Sequence, residues 1–339
     1  METTKVKYTF KDFSSDQEVK WCPGCGDYAI LSAVQKALPE MDVKKEDFVF
    51  ISGIGCSSRF PYYMDTYGFH GIHGRGLAIA TGTKLANPNL SVWQITGDGD
   101  AMAIGGNHFI HAVRRNVDLN VILFNNEIYG LTKGQFSPTT KLGMKTKTSP
   151  EGQIQNPFNP GELVMGSKGR FFARVMDKNP KHMKEVFIQA EKFKGTSVVE
   201  ALTNCVIFND KVHDQFTQKD HQDDMLFLEH GKPMLFGKNK EYGLMLHGFK
   251  LIKVKLGENH VTIDDILVHD AHVEETGLGM MLVNAGMGDG LPRVFGVIRS
   301  VQEDTFEERM QAQVDNVRET SKFANLDELF ASGETWEIE

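Results

Sequence analysis

Two short stretches place a carboxylate, an amide and flanking glycines at a spacing that suits a divalent cation holding a diphosphate. Gly97-Asp98-Gly99 is followed, 25 residues on, by Asn125-Asn126. Mg2+ takes hard oxygen ligands in octahedral geometry, usually one or two protein groups plus phosphate oxygens. Asp98 offers a carboxylate from a turn that glycines keep open, Asn126 an amide oxygen, and the backbone carbonyl of Ile128 completes the set. A helix starting near Asp100 would aim its amino end at the anion. Singly, Gly-Asp-Gly is an ordinary turn and Asn-Asn an ordinary strand end. Both together, each closing an apolar run, point to a site.

The second set is sulfur. The four cysteines are Cys22, Cys25, Cys56 and Cys205, spaced C-x2-C-x30-C-x148-C. Buried structural cysteines usually sit inside apolar runs, and these do not. Four thiolates suit a structural zinc or an iron–sulfur cluster, and the spacing leaves both open. A redox pair at Cys22 and Cys25 lacks the strand-to-helix context of a thioredoxin-like motif. Gly55-Cys56-Ser57-Ser58 sets one of the cysteines beside hydroxyl and backbone N–H groups, the makings of an anion-binding turn.

Positioning these residues needs a particular frame. The apolar runs at 48–52 (FVFIS), 91–96 (SVWQIT), 120–124 (NVILF) and 196–201 (TSVVEA) read as buried strands. Helical spacing predicts helices over 28–38, capped by Asp27, and over 102–115. Strand, polar loop and helix alternate, which predicts an α/β fold with a parallel sheet flanked by helices. Every residue singled out lies where a strand ends, and open α/β sheets bind ligands at the carboxyl ends of their strands. The proline-rich stretch 134–170 is long and irregular enough to be functional. The domain reading is a charged arm over 1–20, a cofactor and cluster domain over 21–235, and a C-terminal extension over 236–339 with a basic hairpin near 249–255 and an acidic helical tail. The glycines at 277–279 and 286–290 read as turns, and His108 and His111 as packing residues on a helix.

Composition narrows the class. The 339 residues carry a net charge of −8, which argues against a basic nucleic-acid groove. There is no run of 18 apolar residues, so no membrane span is expected. The first residues lack the apolar core of a signal peptide, and a cytoplasmic location is the expectation.

The stretches WCPGCGDYAI, GIGCSSRFPYY, HGIHGRGLAIATG, TGDGDAMAIGGNH, NNEIYGLTKGQFSPTT and ALTNC resemble the β subunit of 2-oxoacid:ferredoxin oxidoreductases over roughly residues 15–235. LEHGKPMLFG and LPRVFGVIR extend the likeness more loosely. The resemblance implies the diphosphate-binding type of thiamine diphosphate fold, with Mg2+ on Asp98, Asn126 and Ile128. It implies one 4Fe–4S cluster on the four cysteines, and so decides between cluster and zinc. It places His73 near the phosphates, and Gly55, Ser57, Ser58, Gly74, Arg75, Gly97, Gly99, Asp100, Tyr129, Gly130 and Leu131 around the cofactor. Arg75 reads equally as a structural ion pair.

The activity implied is oxidative decarboxylation of a 2-oxoacid with coenzyme A, with electrons passing to ferredoxin. The LTKGQ and SPT segments look like two-subunit members, several of which use 2-oxoglutarate and some pyruvate. Arg59 and Lys133 are the candidate cations for a distal carboxylate, against a plainer reading as solvated loop charges. Only the diphosphate-side signature is present, so an α subunit is expected to supply the pyrimidine side and the chain alone to be inactive. A thiamine enzyme without redox chemistry and a zinc-bound scaffold subunit are the alternatives from other classes.

Overall fold

The computed structural model describes residues 7–218, 220–334, 336 and 338. In chain order its first elements are α1 (Asp27–Ala37), β1 (Phe48–Ser52), β2 (Tyr67–His70), α2 (Gly76–Ala86), β3 (Ser91–Gly97), α3 (Asp98–Met102), α4 (Gly106–Arg115) and β4 (Asn120–Asn125). There follow α5 (Pro160–Gly166), β5 (Phe171–Met176), α6 (Pro180–Lys192), β6 (Ser197–Leu202), α7 (Asp214–Thr217) and β7 (Met225–Phe227). The last are β8 (Leu235–Phe236), β9 (Tyr242–His247), β10 (Lys250–Lys255), α8 (Gly277–Asn284), β11 (Arg293–Ser300), α9 (Phe306–Thr320) and α10 (Leu326–Phe330).

Eight strands form one sheet in the order β2-β1-β3-β4-β6-β5-β11-β7. The first six are parallel, and β11 pairs antiparallel with β5. Strands β1, β4, β5 and β6 are buried along their whole length, as parallel strands covered on both faces must be. Alternate side chains feed two cores. Phe50, Trp93 and Phe124 pack with Ile30 and Val34 of α1 and Phe187 of α6. Val49, Val121 and Leu123 pack with Leu77 of α2 and Phe109 and Val113 of α4. Strands β1, β3, β4 and β6 are neighbours, so the loops after Ser52, Gly97, Asn125 and Leu202 open on one rim.

Three local expectations change. The helix over 102–115 is two helices, because Ala103 leaves helical geometry and Gly105 lies against Gly74, where an added Cβ on Gly74 would meet the Gly105 nitrogen at 2.6 Å. Gly26, not Asp27, caps α1, and Asp27 is buried as its first residue. Residues 277–279 begin α8 instead of forming a turn.

At the N-terminus, residues 7–20 lie on the body. Phe13 is fully buried and Ser14 bridges Met64. The boundary at 235 cuts across the main sheet, since β11 supplies one of its inner strands. The basic stretch forms the hairpin β9–β10, and the acidic tail forms α9 and α10. Among the described residues no helix is long and apolar enough to cross a membrane.

Candidate active site at the strand ends

A cavity of about 460 Å3 opens where the loops after Ser52, Gly97 and Asn125 converge. Asp98, Asn126 and Ile128 all line it, so the three predicted cation ligands come together from two strand ends. Asp98 is buried, and its Oδ2 accepts hydrogen bonds from the hydroxyls of Ser137 and Thr139, each at 2.5 Å. Backbone N–H groups of Gly99 and Asp98 act on the same carboxylate. Burial raises the Asp98 carboxyl to about 6, against the pull of the two hydroxyls. Such a cost is what a bound cation would offset. Asn126 Oδ1 accepts from the Ile128 nitrogen at 3.1 Å, a turn that shapes the loop beyond.

Asp100, expected beside the cofactor, does structural work as well. Its Oδ1 accepts from the nitrogens of Ile54 at 3.0 Å and Gly74 at 2.7 Å and meets His73 Nδ1 at 2.7 Å, while Oδ2 accepts from the Thr96 hydroxyl at 2.8 Å. One carboxylate thus ties two loops to the end of β3. The Tyr129 hydroxyl donates to the Gly99 carbonyl at 3.0 Å, and its ring sits so close that a Cβ on Gly99 would lie 2.1 Å from it. Only glycine fits there.

The four cysteines gather at the same rim. Burial, then the Asp27 carboxylate, raise the Cys25 thiol above its usual range and push Cys56 up to about 12. Cys205 raises both, and Cys22 raises Cys56, so the sulfurs lie within electrostatic reach of one another. A Cβ on Gly130 would stand 3.5 Å from Cys56 Sγ and 3.6 Å from Cys205 Sγ, which puts the cofactor loop directly against the thiols. Half-buried thiols held at high pKa are poorly placed as free thiolates and suit metal ligation, which deprotonates them. Among the described residues no three Cys, His, Asp or Glu side chains converge on a single ion.

The other predicted residues divide. Gly55, Cys56, Ser57, His73, Gly97, Gly99, Tyr129, Gly130 and Leu131 line the cavity. Ser58, Gly74, Arg75, Arg59 and Lys133 are outside its lining. Ser58 lends its carbonyl to Ser52, and Arg75 donates to the Ile104 carbonyl at 3.2 Å. Arg59 lies on the 3-10 turn after Cys56, where its Nε donates to the Tyr63 hydroxyl at 3.1 Å. Lys133 is exposed at a φ of +74°, between the lining residues Thr132 and Gln135.

Sequence reasoning missed Asp27, Ile54, Phe124, Gln135 and Phe136 in the lining, and Ser137 and Thr139 behind Asp98. The SPTT run was a visible signal for the last two. Asp27 Oδ2 is buried without a partner.

The family model described as "Thiamine pyrophosphate enzyme, C-terminal TPP binding domain" matches residues 53–201, the span that holds Asp98 and Asn126. The 2-oxoglutarate oxidoreductase subunit KorB of Mycobacterium tuberculosis is 45% identical over 339 residues, covering 99% of this chain and 90% of the relative. The chain belongs to the 2-oxoacid:ferredoxin oxidoreductase β subunits. The first 2-oxoacid:ferredoxin oxidoreductase β subunit of Aeropyrum pernix is 47% identical over 190 residues, 56% of this chain and 60% of that one. A solved structure of this oxidoreductase class is also similar: the 2-oxoglutarate:ferredoxin oxidoreductase from Magnetococcus marinus with 2-oxoglutarate, coenzyme A and succinyl-CoA bound. It superposes with a TM-score of 0.76 at 28% identity, covering 98% of each chain. The fold of this β subunit is therefore the thiamine diphosphate-binding one, a mostly parallel sheet flanked by helices.

Proposed function

We propose that this chain is the β subunit of a CoA-acylating 2-oxoglutarate:ferredoxin oxidoreductase, working with an α subunit. The observation that carries the reading is the position of Gly130. It joins a cavity wall built around Asp98, Asn126 and Ile128 to the sulfurs of Cys56 and Cys205. Diphosphate binding and electron acceptance would share one wall.

In this reading Asp98, Asn126 and the Ile128 carbonyl hold Mg2+ and through it the diphosphate. His73, with Nδ1 engaged by Asp100, turns its other ring nitrogen to a phosphate oxygen. Cys22, Cys25, Cys56 and Cys205 hold a 4Fe–4S cluster. When bound, thiamine diphosphate supplies carbanion stabilisation and the cluster one-electron acceptance, the two functions that oxidation of 2-oxoglutarate to succinyl-CoA and CO2 requires. Phe124, Ile128, Tyr129 and Phe136 give the cavity apolar walls that exclude water from the reacting end. Ile54 and Leu131 expose 37% and 49% of their surface among the lining residues, apolar area that suits cover by the α subunit.

Preference for 2-oxoglutarate is supported by the relatives' names more than by this chain's cations. Arg59 and Lys133 border the cavity in sequence without lining it and stay the candidate cations of this chain for the distal carboxylate, with pyruvate the second substrate to test.

The test is anaerobic, coenzyme A-dependent reduction of a viologen dye by the αβ complex. The expected result is turnover with 2-oxoglutarate well above that with pyruvate, with none from the β chain alone. Turnover favouring pyruvate would overturn the substrate assignment. A purified complex without iron, sulfide or bound thiamine diphosphate would overturn the whole reading.

A further inference from the structure

Behind Asp98 runs a buried polar chain that ends deep in the sheet. Arg174 on β5 and Glu200 on β6 are cross-strand partners, both with 0% side-chain exposure, and Arg174 Nε donates to Glu200 Oε2 at 2.6 Å. Asn125 Nδ2 donates to Glu200 Oε1 at 2.8 Å. The Thr139 hydroxyl lies 3.0 Å from Asn125 Oδ1 and 2.5 Å from Asp98 Oδ2. Every member is buried.

The polarity of this chain is fixed by chemistry. An ionised carboxylate only accepts hydrogen bonds, so Glu200 forces the NH2 face of the Asn125 amide toward itself. The amide oxygen then faces Thr139, and its hydroxyl becomes the donor shared between Asn125 and Asp98. Burial alone would raise the Glu200 carboxyl; Arg174 and Arg293, with the Asn125 amide, instead hold it below the usual carboxylate range. A glutamate and an arginine inside otherwise apolar strands are costly unless each is fully paired, and together they set a register that a single apolar pair would not.

We propose that Glu200, clamped by Arg174, is a positioning residue for the diphosphate cation site, acting through Asn125 and Thr139 to hold the Asp98 carboxylate in its ligating orientation. This rests on the proposed role of Asp98 as a Mg2+ ligand. Partners that orient a metal ligand typically contribute about 10- to 100-fold to metal affinity.

The test uses the αβ complex and reads thiamine diphosphate retained in equilibrium dialysis as Mg2+ is raised, with no turnover required. Glu200→Gln lets the Asn125 amide turn over, and Thr139→Val removes the shared hydroxyl at nearly constant volume. Each is expected to raise the Mg2+ midpoint by about 10- to 100-fold. Thr139→Ser, which keeps the hydroxyl, is expected to restore it. Should Glu200→Gln fail to assemble because it leaves Arg174 unpaired, the Thr139 pair carries the test. An unchanged midpoint in Thr139→Val, or a serine variant no better than valine, overturns the inference while leaving the function standing. An unmodified complex that retains no thiamine diphosphate at any Mg2+ concentration overturns the functional reading, and this inference with it.

Discussion

His73 Nδ1 lies 2.7 Å from Asp100 Oδ1, so the carboxylate fixes the proton on Nδ1 and leaves Nε2 free. The same oxygen accepts from the backbone of Ile54 and Gly74. The histidine's tautomer and the shape of the two loops beside it are therefore set by one buried group.

Asp100→Asn should disturb both at once. An amide presents one acceptor oxygen and a donor group, so it cannot receive all four hydrogen bonds that the carboxylate now takes. Leaving buried donors unpaired costs about 1–3 kcal/mol. The expected outcome is a lower thermal midpoint together with weaker thiamine diphosphate retention. His73→Gln should weaken retention with little change in the thermal midpoint. Equal effects of the two variants on stability would show that Asp100 acts only on His73.

Removing a single thiol should separate the two halves of the site. Cys56→Ala is expected to abolish visible absorbance and bring iron and sulfide near background. Thiamine diphosphate retention should persist, because Asp98 and Asn126 stand on the ends of other strands. Iron content equal to the unmodified complex would rule out Cys56 as a ligand.

Much of this was legible in the sequence because the site is punctuated locally. Glycine, aspartate and asparagine end apolar runs, and neighbouring parallel strands bring their ends together without further instruction. What escaped depends on three-dimensional reach. Thr139 meets Asp98 across 41 positions, from the irregular stretch beyond β4. Arg174 and Glu200 hide in strands whose burial gives no alternation to mark a polar face, and only cross-strand register reveals them as a pair. Arg59 is next to site residues in sequence, but on its 3-10 turn the side chain donates to the Tyr63 hydroxyl, a contact that spacing does not announce. The place of β11 inside the sheet is a long-range pairing that no local pattern announces.

Gly99→Ala should strike the cavity through Tyr129. The added methyl would sit 2.1 Å from the ring and force it off the Gly99 carbonyl. A displacement of about 1 Å at such a position costs about 100-fold in kcat/KM. Tyr129→Phe, which loses only the hydroxyl, should cost far less. Steady-state kinetics of the αβ complex distinguish them, and equal losses would mean that the hydrogen bond matters more than the space.

The last expectation concerns pH. His213 is buried, and its Nε2 meets the Asn125 carbonyl at 2.9 Å, next to the loop that carries Asn126. Burial lowers its pKa from 6.5 to about 4. The folded state thus binds this proton less readily than the unfolded chain does. The stabilisation is fully present above the unfolded value of 6.5 and is lost as pH falls from there toward 4. The whole effect is about 3 kcal/mol, of which about 1 kcal/mol disappears between about pH 7.5 and about pH 5.5. His213→Gln keeps a donor for the Asn125 carbonyl and has no proton to gain. Denaturant midpoints measured anaerobically at the two pH values should fall more for the unmodified complex than for the variant. Parallel declines would place the pH dependence on another group.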